Sequence, residues 1–147
     1  MKIIAKNKRA SFDYELKERI EAGLVLVGTE VKSLRLGKVS IQESFISIDK
    51  GMEAWIHGML IAPYSHGNQF NHPESRKRKL LLGKKQIQKL HHEMKSQSLT
   101  LVPTVIYFKK SYVKIEIALA KGKKLHDKRA SEAKKDVEKK LRRGQYE

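Results

Sequence analysis

Six histidines, His57, His66, His72, His91, His92 and His126, are the side chains best suited to bind a metal or to act as a general base near neutral pH. Their spacing argues against both uses. No pair has the separation of a zinc-binding helix, and adjacent His91 and His92 point to different faces of theirs. His91 reads as a half-buried helix residue, and His66 and His72 as solvated loop residues. Cysteine is absent, which removes disulfides, thiolate metal sites and thiol nucleophiles together. Lys121, Gly122, Lys123 and Lys124 lack the second glycine and the hydroxyl residue of a phosphate loop. No serine has a recognisable activating partner. The expectation is a non-enzymatic chain with no cofactor and no resident metal.

What the residues do assemble is positive charge. The 147-residue chain has 32 Lys+Arg against 16 Asp+Glu, a formal net charge of +16. Such an excess predicts salt-sensitive binding to a polyanion, and nucleic acid fits best, because no amphipathic helix has a bulky apolar face for a membrane. Three clusters carry it: Lys6, Lys8 and Arg9 beside Asn7; Arg76, Lys77, Arg78 and Lys79 with Lys84 and Lys85; and Lys121, Lys123, Lys124, Lys128 and Arg129. All three abut predicted element ends, as a phosphate-tracking surface requires. Phe12, Tyr14, Tyr107, Phe108 and Tyr112 lie near them and either stack bases or, more commonly, pack a core. Glu21 is an acid where the chain turns. A carboxylate there repels phosphate but accepts hydrogen bonds from base amino or imino groups.

The elements that must position these residues are mostly strands. Residues 45–48, a turn at 49–51 and residues 53–61 read as a hairpin. A second hairpin runs over 99–108, turns at 109–111 and returns over 112–119, where Val113, Ile115, Ile117 and Leu119 alternate with Lys114, Glu116 and Ala118. Further strands are expected over 12–20 and 23–29. Short helices are expected over 30–36, closed by Gly37, and over 84–95, with a polar loop over 63–75 between the hairpins. Five or six short strands suggest a small β-barrel of the OB type with flanking short helices, or a split α+β sheet.

Composition divides the chain near residue 121. Residues 121–147 hold eleven Lys+Arg and five Asp+Glu, a net +6, and too few apolar side chains to fold alone. A thin stripe of Ala130, Ala133, Val137 and Leu141 suits a helix that forms only when docked. The reading is a folded body over 1–120 and a basic C-terminal tail over 121–147. No run approaches the ~18 apolar residues of a membrane span, and charge interrupts the first residues too early for a signal peptide. A soluble cytoplasmic protein is expected.

Five segments occur together in order: NKRA at 7–10, EAG at 21–23, GTEVKSLRLGK at 28–38, RKLLL at 78–82 and AKGKKLHDKR at 120–129. With these the chain resembles the SmpB family, small proteins that bind transfer-messenger RNA in bacterial trans-translation. The resemblance covers nearly the whole body and enters the tail. It implies an OB-type barrel whose body binds the tRNA-like domain of that RNA around the elbow and D-loop. On matching positions Asn7, Glu21, Leu81 and Lys114 contribute to the RNA surface, with Lys8 and Arg9 alongside; Leu81 reads equally well as core.

The resemblance also implies a ribosomal role for the tail, disordered when free and helical on the ribosome. There it lies along the empty mRNA channel of a stalled ribosome. His126 stacks against a decoding-centre base of small-subunit RNA, while Lys124, Asp127, Lys128 and Arg129 share that element and Lys121 and Lys123 lead into it. Some relatives carry Ile and Trp after this motif, where this chain has Glu132 and Val137. The implied partners are transfer-messenger RNA, the ribosome, and elongation factor Tu with GTP in the delivery complex. A structural OB-fold ribosomal protein or a general RNA-binding module shares the basic body and tail, and is distinguished by indifference to transfer-messenger RNA.

Overall fold

The computed structural model describes residues 1–65 and 71–123. The strands are β1 (Lys2–Lys6), β2 (Tyr14–Leu24), β3 (Val39–Ser40), β4 (Phe45–Ile48), β5 (Ala54–His57), β6 (Leu60–Ile61), β7 (Arg78–Leu81), β8 (Thr100–Lys109) and β9 (Tyr112–Gly122). The helices are α1 (Ala10–Asp13), α2 (Gly28–Arg35) and α3 (Lys84–Ser96). Antiparallel neighbours follow the order β8, β4, β5, β7, β2, β9, and β9 pairs back onto β8. The ring therefore closes, which excludes the split sheet and removes edge strands from its circumference. β1 adds outside it along β8, and β3 pairs with β6 as a separate ribbon.

Alternation fills the ring. Ala22, Ile46, Ile56, Leu80, Leu101, Ile106, Ile115 and Ile117 are all buried in one cluster, joined by Leu34 of α2 and Leu90 of α3. A smaller cluster of Ala10, Val102 and Ala120 holds α1 on the outside of β8 and β9. None of the helices described is long and apolar enough to cross a membrane.

Both expected hairpins are present, although the first breaks at Gly58, where φ is +77°. A Cβ at Gly58 would lie 2.8 Å from the Glu43 carbonyl oxygen. Gly58→Ala is therefore expected to cost more than the ~1 kcal/mol of a simple loss of backbone freedom. A thermal melt checks this, and a parental melting temperature would show that the segment relaxes.

Other elements depart from the sequence reading for local reasons. The two strands expected over 12–20 and 23–29 are one strand, β2, because it pairs with β9 straight through Glu21 and Gly23. Gly28 and Thr29 open α2 instead, since the Glu30 carboxylate accepts the Val27 N–H at 2.9 Å and starts the helix two residues early. His72 is buried rather than solvated. Its Nε2–H donates to the Ile61 carbonyl at 2.9 Å, which leaves Nδ1 to accept the Thr29 hydroxyl at 2.8 Å. His91 is half-buried as expected, whereas His66 lies outside the described residues.

Arg78 overturns part of the second basic cluster. It begins β7 facing inward, is 0% exposed, and its Nε donates to the buried Glu30 carboxylate. Nη1 donates to Met59 and Arg76 carbonyls and Nη2 to those of Pro73 and Glu74. Arg76 donates to the same carboxylate. Arg78 is thus an internal strut and half-buried Arg76 is tied to the same acid, which leaves Lys77 and Lys79 of the four toward solvent.

Candidate nucleic-acid interface

Strand register brings together residues far apart in the chain. Leu81 of β7 lies opposite Gly23 of β2, Gly23 opposite Lys114 of β9, Lys114 opposite Tyr107 of β8, and Tyr107 opposite Ile3 of β1. The adjacent row runs from Glu21 through Glu116 to Val105 and Lys6. Ala22, Leu80 and Ile115 point into the ring, so their neighbours Glu21, Gly23, Leu81 and Lys114 present to its outside.

Leu81 is 54% exposed, which settles its alternative reading: it is surface, not core. It rests across Gly23, where a Cβ would come within 3.2 Å of the Leu81 Cβ. The glycine of the EAG segment is thus a seat for a neighbouring side chain, not a chain reversal.

Glu21 has an oriented carboxylate. The Tyr107 hydroxyl donates to Oε2, and Lys109 Nζ approaches Oε1 at 3.4 Å. The tyrosine hydrogen bond, ahead of the Lys109 and Lys114 charges, holds Glu21 below the usual carboxylate range. Burial, then the Glu21 charge, pushes the Tyr107 phenol up, so it remains a donor. An ionised carboxylate offers about four lone-pair directions, and these two contacts leave others open to donors on a ligand. Tyr107, one of the aromatic candidates, is largely buried, and its role as the partner of Glu21 is not legible in the sequence because both faces of β8 are apolar and no alternation marks which way it points.

The second acid of the surface is also engaged. Glu116 pairs with Arg19 at 3.4 Å and accepts the Thr104 hydroxyl. Thr104 sits at a register shift after Pro103, which cannot donate to the ladder. Lys6, Lys8 and Lys114 have no carboxylate within salt-bridge distance among the described residues, so their charge is available to phosphate.

Asn7 has a different place from its neighbours. Its amide nitrogen donates to the Pro103 carbonyl at 2.9 Å and the Ile41 carbonyl at 3.3 Å, and its backbone N–H to Thr104 at 2.7 Å. It pins the Lys8–Arg9 turn to the ring, so its donors are spent inside the protein. Lys8 and Arg9 are exposed, with Arg9 paired to Asp13 at 3.4 Å and lying over the Phe12 ring. A cleft of about 350 Å³ adjoins this turn, lined by Lys8, Ser11, Arg19 and Glu116. Lys8 thus borders the face that carries Glu21, Leu81 and Lys114, whereas Arg9 lines a different cleft with Asp13, Glu43 and Phe45.

Among the aromatic candidates, Tyr112 is strongly exposed, with Lys114 Nζ 6.0 Å from its ring centre. Tyr14 and Phe108 pack against the two apolar clusters.

β9 runs two residues past the expected end of the body, pairing Lys121 with Glu15 and Gly122 with Tyr14. Lys123 then binds back, its N–H to the Asp13 carbonyl at 3.0 Å and its Nζ to the Ser11 carbonyl at 2.8 Å. Lys124, His126, Asp127, Lys128 and Arg129 lie outside the described residues, as does the stripe of Ala130, Ala133, Val137 and Leu141 expected to form a docked helix. Among the described residues no group of three His, Asp or Glu side chains converges to hold a metal.

Comparison with known proteins gives a consistent picture. The family model described as SmpB protein matches residues 4–147. The SsrA-binding protein of Carboxydothermus hydrogenoformans is 51% identical over 145 residues, covering 96% of this chain and 97% of that protein. That of Lachnoclostridium phytofermentans is 54% identical over 92% of this chain and 88% of that protein. A solved structure described as "tmRNA-SmpB: a journey to the center of the bacterial ribosome" contains a similar chain, with a TM-score of 0.68 and 46% identity. The match covers 82% of this chain and 85% of that one.

Proposed function

The chain belongs to the SmpB family, and from that premise we propose that it binds the tRNA-like domain of transfer-messenger RNA and brings it to stalled ribosomes for trans-translation. The observation that carries the RNA part is the outer row in which register places Leu81, Gly23 and Lys114 side by side, with the Tyr107-anchored Glu21 beside them. Leu81 offers apolar contact to a sugar or base, and Lys114 charge to phosphate. Glu21 offers a fixed acceptor to base N–H groups, which supplies the selectivity that phosphate contacts lack. Lys8, with Arg9 next to it in the chain, extends the phosphate track beyond this patch.

The protein acts in the cytoplasm as a binder, with elongation factor Tu and GTP in the delivery complex. The body occupies the decoding region, and the basic residues after Lys123 enter the empty mRNA channel. There His126 stacks on a decoding-centre base, and Lys124, Lys128 and Arg129, beside Asp127, meet ribosomal phosphates.

Glu21→Gln keeps the shape of the acceptor and removes its charge. It is expected to weaken binding to the tRNA-like domain about tenfold, in line with the ~1–3 kcal/mol that one specific base contact supplies, with the melting temperature unchanged. Lys114→Ala is expected to weaken binding less and to reduce the slope of log affinity against log salt by about 0.7–0.9. Equal binding by Glu21→Gln and the parent would remove the base-reading role.

A further inference from the structure

β4, β5 and β7 present a further outer face: β4 and β5 lie across the ring from β2 and β9, and β7 borders the Glu21 surface through its pairing with β2. Ile46, Ile56 and Leu80 point inward, so Phe45, Ser47, Trp55, His57 and Lys79 point out. Phe45 pairs with His57 in register, their rings stacked with centroids 5.1 Å apart and planes 18° from parallel. Phe45 is nevertheless 48% exposed. The next row holds Ser47, Trp55 and Lys79, and Lys77 Nζ lies 4.6 Å from the centre of the Trp55 ring. Along β5, His57 and Trp55 are two residues apart, roughly 7 Å.

From this arrangement we propose that the β4–β5–β7 face binds a short single-stranded RNA segment, separately from the surface around Glu21. A base stacks on the exposed Phe45–His57 pair, and Lys77 and Lys79 engage the backbone beside Trp55. Three features point to that occupant. Exposed rings on the outside of a small β-ring supply stacking to any base, and two cations beside them match phosphate. The Ser47 hydroxyl and His57 Nε2, 2.7 Å apart, hold the imidazole in the plane of the stack. Asp49 and Glu53, the acids beside Trp55 and Lys79, are both committed, while Glu43 and the Arg9-paired Asp13 line the cleft next to Phe45. Asp49 accepts the Trp55 indole N–H and the Glu53 backbone N–H, each at 2.9 Å, which fixes the indole by its edge. Glu53 pairs with Lys79 at 3.7 Å in an exposed contact that a phosphate displaces cheaply.

Trp55 is the single tryptophan of the chain, so its fluorescence reports on this face alone. The test titrates the full chain with an eight-nucleotide uridine RNA at low salt, and in parallel with the tRNA-like domain. Saturable quenching of Trp55 is expected. Phe45→Leu, which keeps an apolar side chain and the parental melting temperature, is expected to weaken the oligonucleotide roughly tenfold, the scale of one lost base–aromatic stack. Its affinity for the tRNA-like domain is expected to stay within twofold. Lys77→Ala is expected to lower the single-strand salt slope by about 0.7. Absence of quenching, or equal oligonucleotide affinity for Phe45→Leu and parent, overturns the proposal and leaves the Glu21 surface standing. Parallel losses on both RNAs overturn the claim of a separate surface.

Discussion

Glu30→Gln is expected to destabilise the body by about 3–5 kcal/mol, because it leaves the Arg78 guanidinium charged, fully buried and unpaired. For a chain of this size that is a fall of roughly 10 °C in melting temperature. The side chain joins three parts of the fold: α2, the start of β7, and the segment before it through Arg76. Arg78→Lys is not expected to rescue anything. A lysine has three donors at one point, whereas Arg78 spreads its donors over one carboxylate and four carbonyls. Replacing both partners with methionine should recover stability relative to either single variant, since burying an ion pair costs nearly as much as it returns. A double variant as unstable as Glu30→Gln would show that the carbonyl contacts, and not the unpaired charge, dominate.

The same pair has a pH signature. Burial raises the Glu30 pKa, yet hydrogen bonds from Arg76, the Val27 N–H and Arg78 carry it below its usual value of 4.5. A carboxylate depressed in the folded state contributes stability that is present above its unfolded pKa and is lost as pH falls through the folded one. Parental stability should therefore drop below about pH 4.5, and Glu30→Gln should lack that part of the acid dependence. Melts from pH 7 to pH 3 measure both.

What could be read from the sequence follows physical lines. The alternation of Val113, Ile115, Ile117 and Leu119 announces β9 because one face of that strand is wet. Arg78 and Leu81 invert the ordinary assumption, the charged residue going in and the apolar one staying out. Composition cannot reveal that, because it depends on Glu30 waiting inside and on Gly23 making room outside. Asn7, Glu21, Leu81 and Lys114 came from the resemblance to a family, and the structure gives them unequal places. Glu21, Leu81 and Lys114 share one patch of the outer face, whereas the Asn7 amide is turned into the protein. Tyr107, 86 residues from Glu21, is joined to it only by strand register, which no local pattern encodes.

The position at which the tail is removed decides what its removal tests. Composition puts the boundary after Ala120, but Lys121, Gly122 and Lys123 complete β9 and tie it to Ser11 and Asp13. Truncation after Ala120 is expected to loosen α1 and the adjoining Arg9 turn, lowering stability and RNA affinity together. Truncation after Lys123 leaves those contacts whole. It is expected to keep the parental melting temperature and to bind the tRNA-like domain within about twofold, while peptide tagging on ribosomes stalled on a truncated message falls at least ~100-fold. The reason is the proposed division of labour, in which the body holds the RNA through Glu21, Leu81 and Lys114 and the residues after Lys123 supply the cations and His126 for the ribosome. His126→Ala should reproduce part of the tagging loss with no change in affinity for the tRNA-like domain. Gel-shift titrations and a tagging assay on the same preparations separate the two activities. Full tagging by the chain ending at Lys123 would place the ribosomal contacts in the body, and an equal fall in binding and tagging would place His126 in the RNA surface.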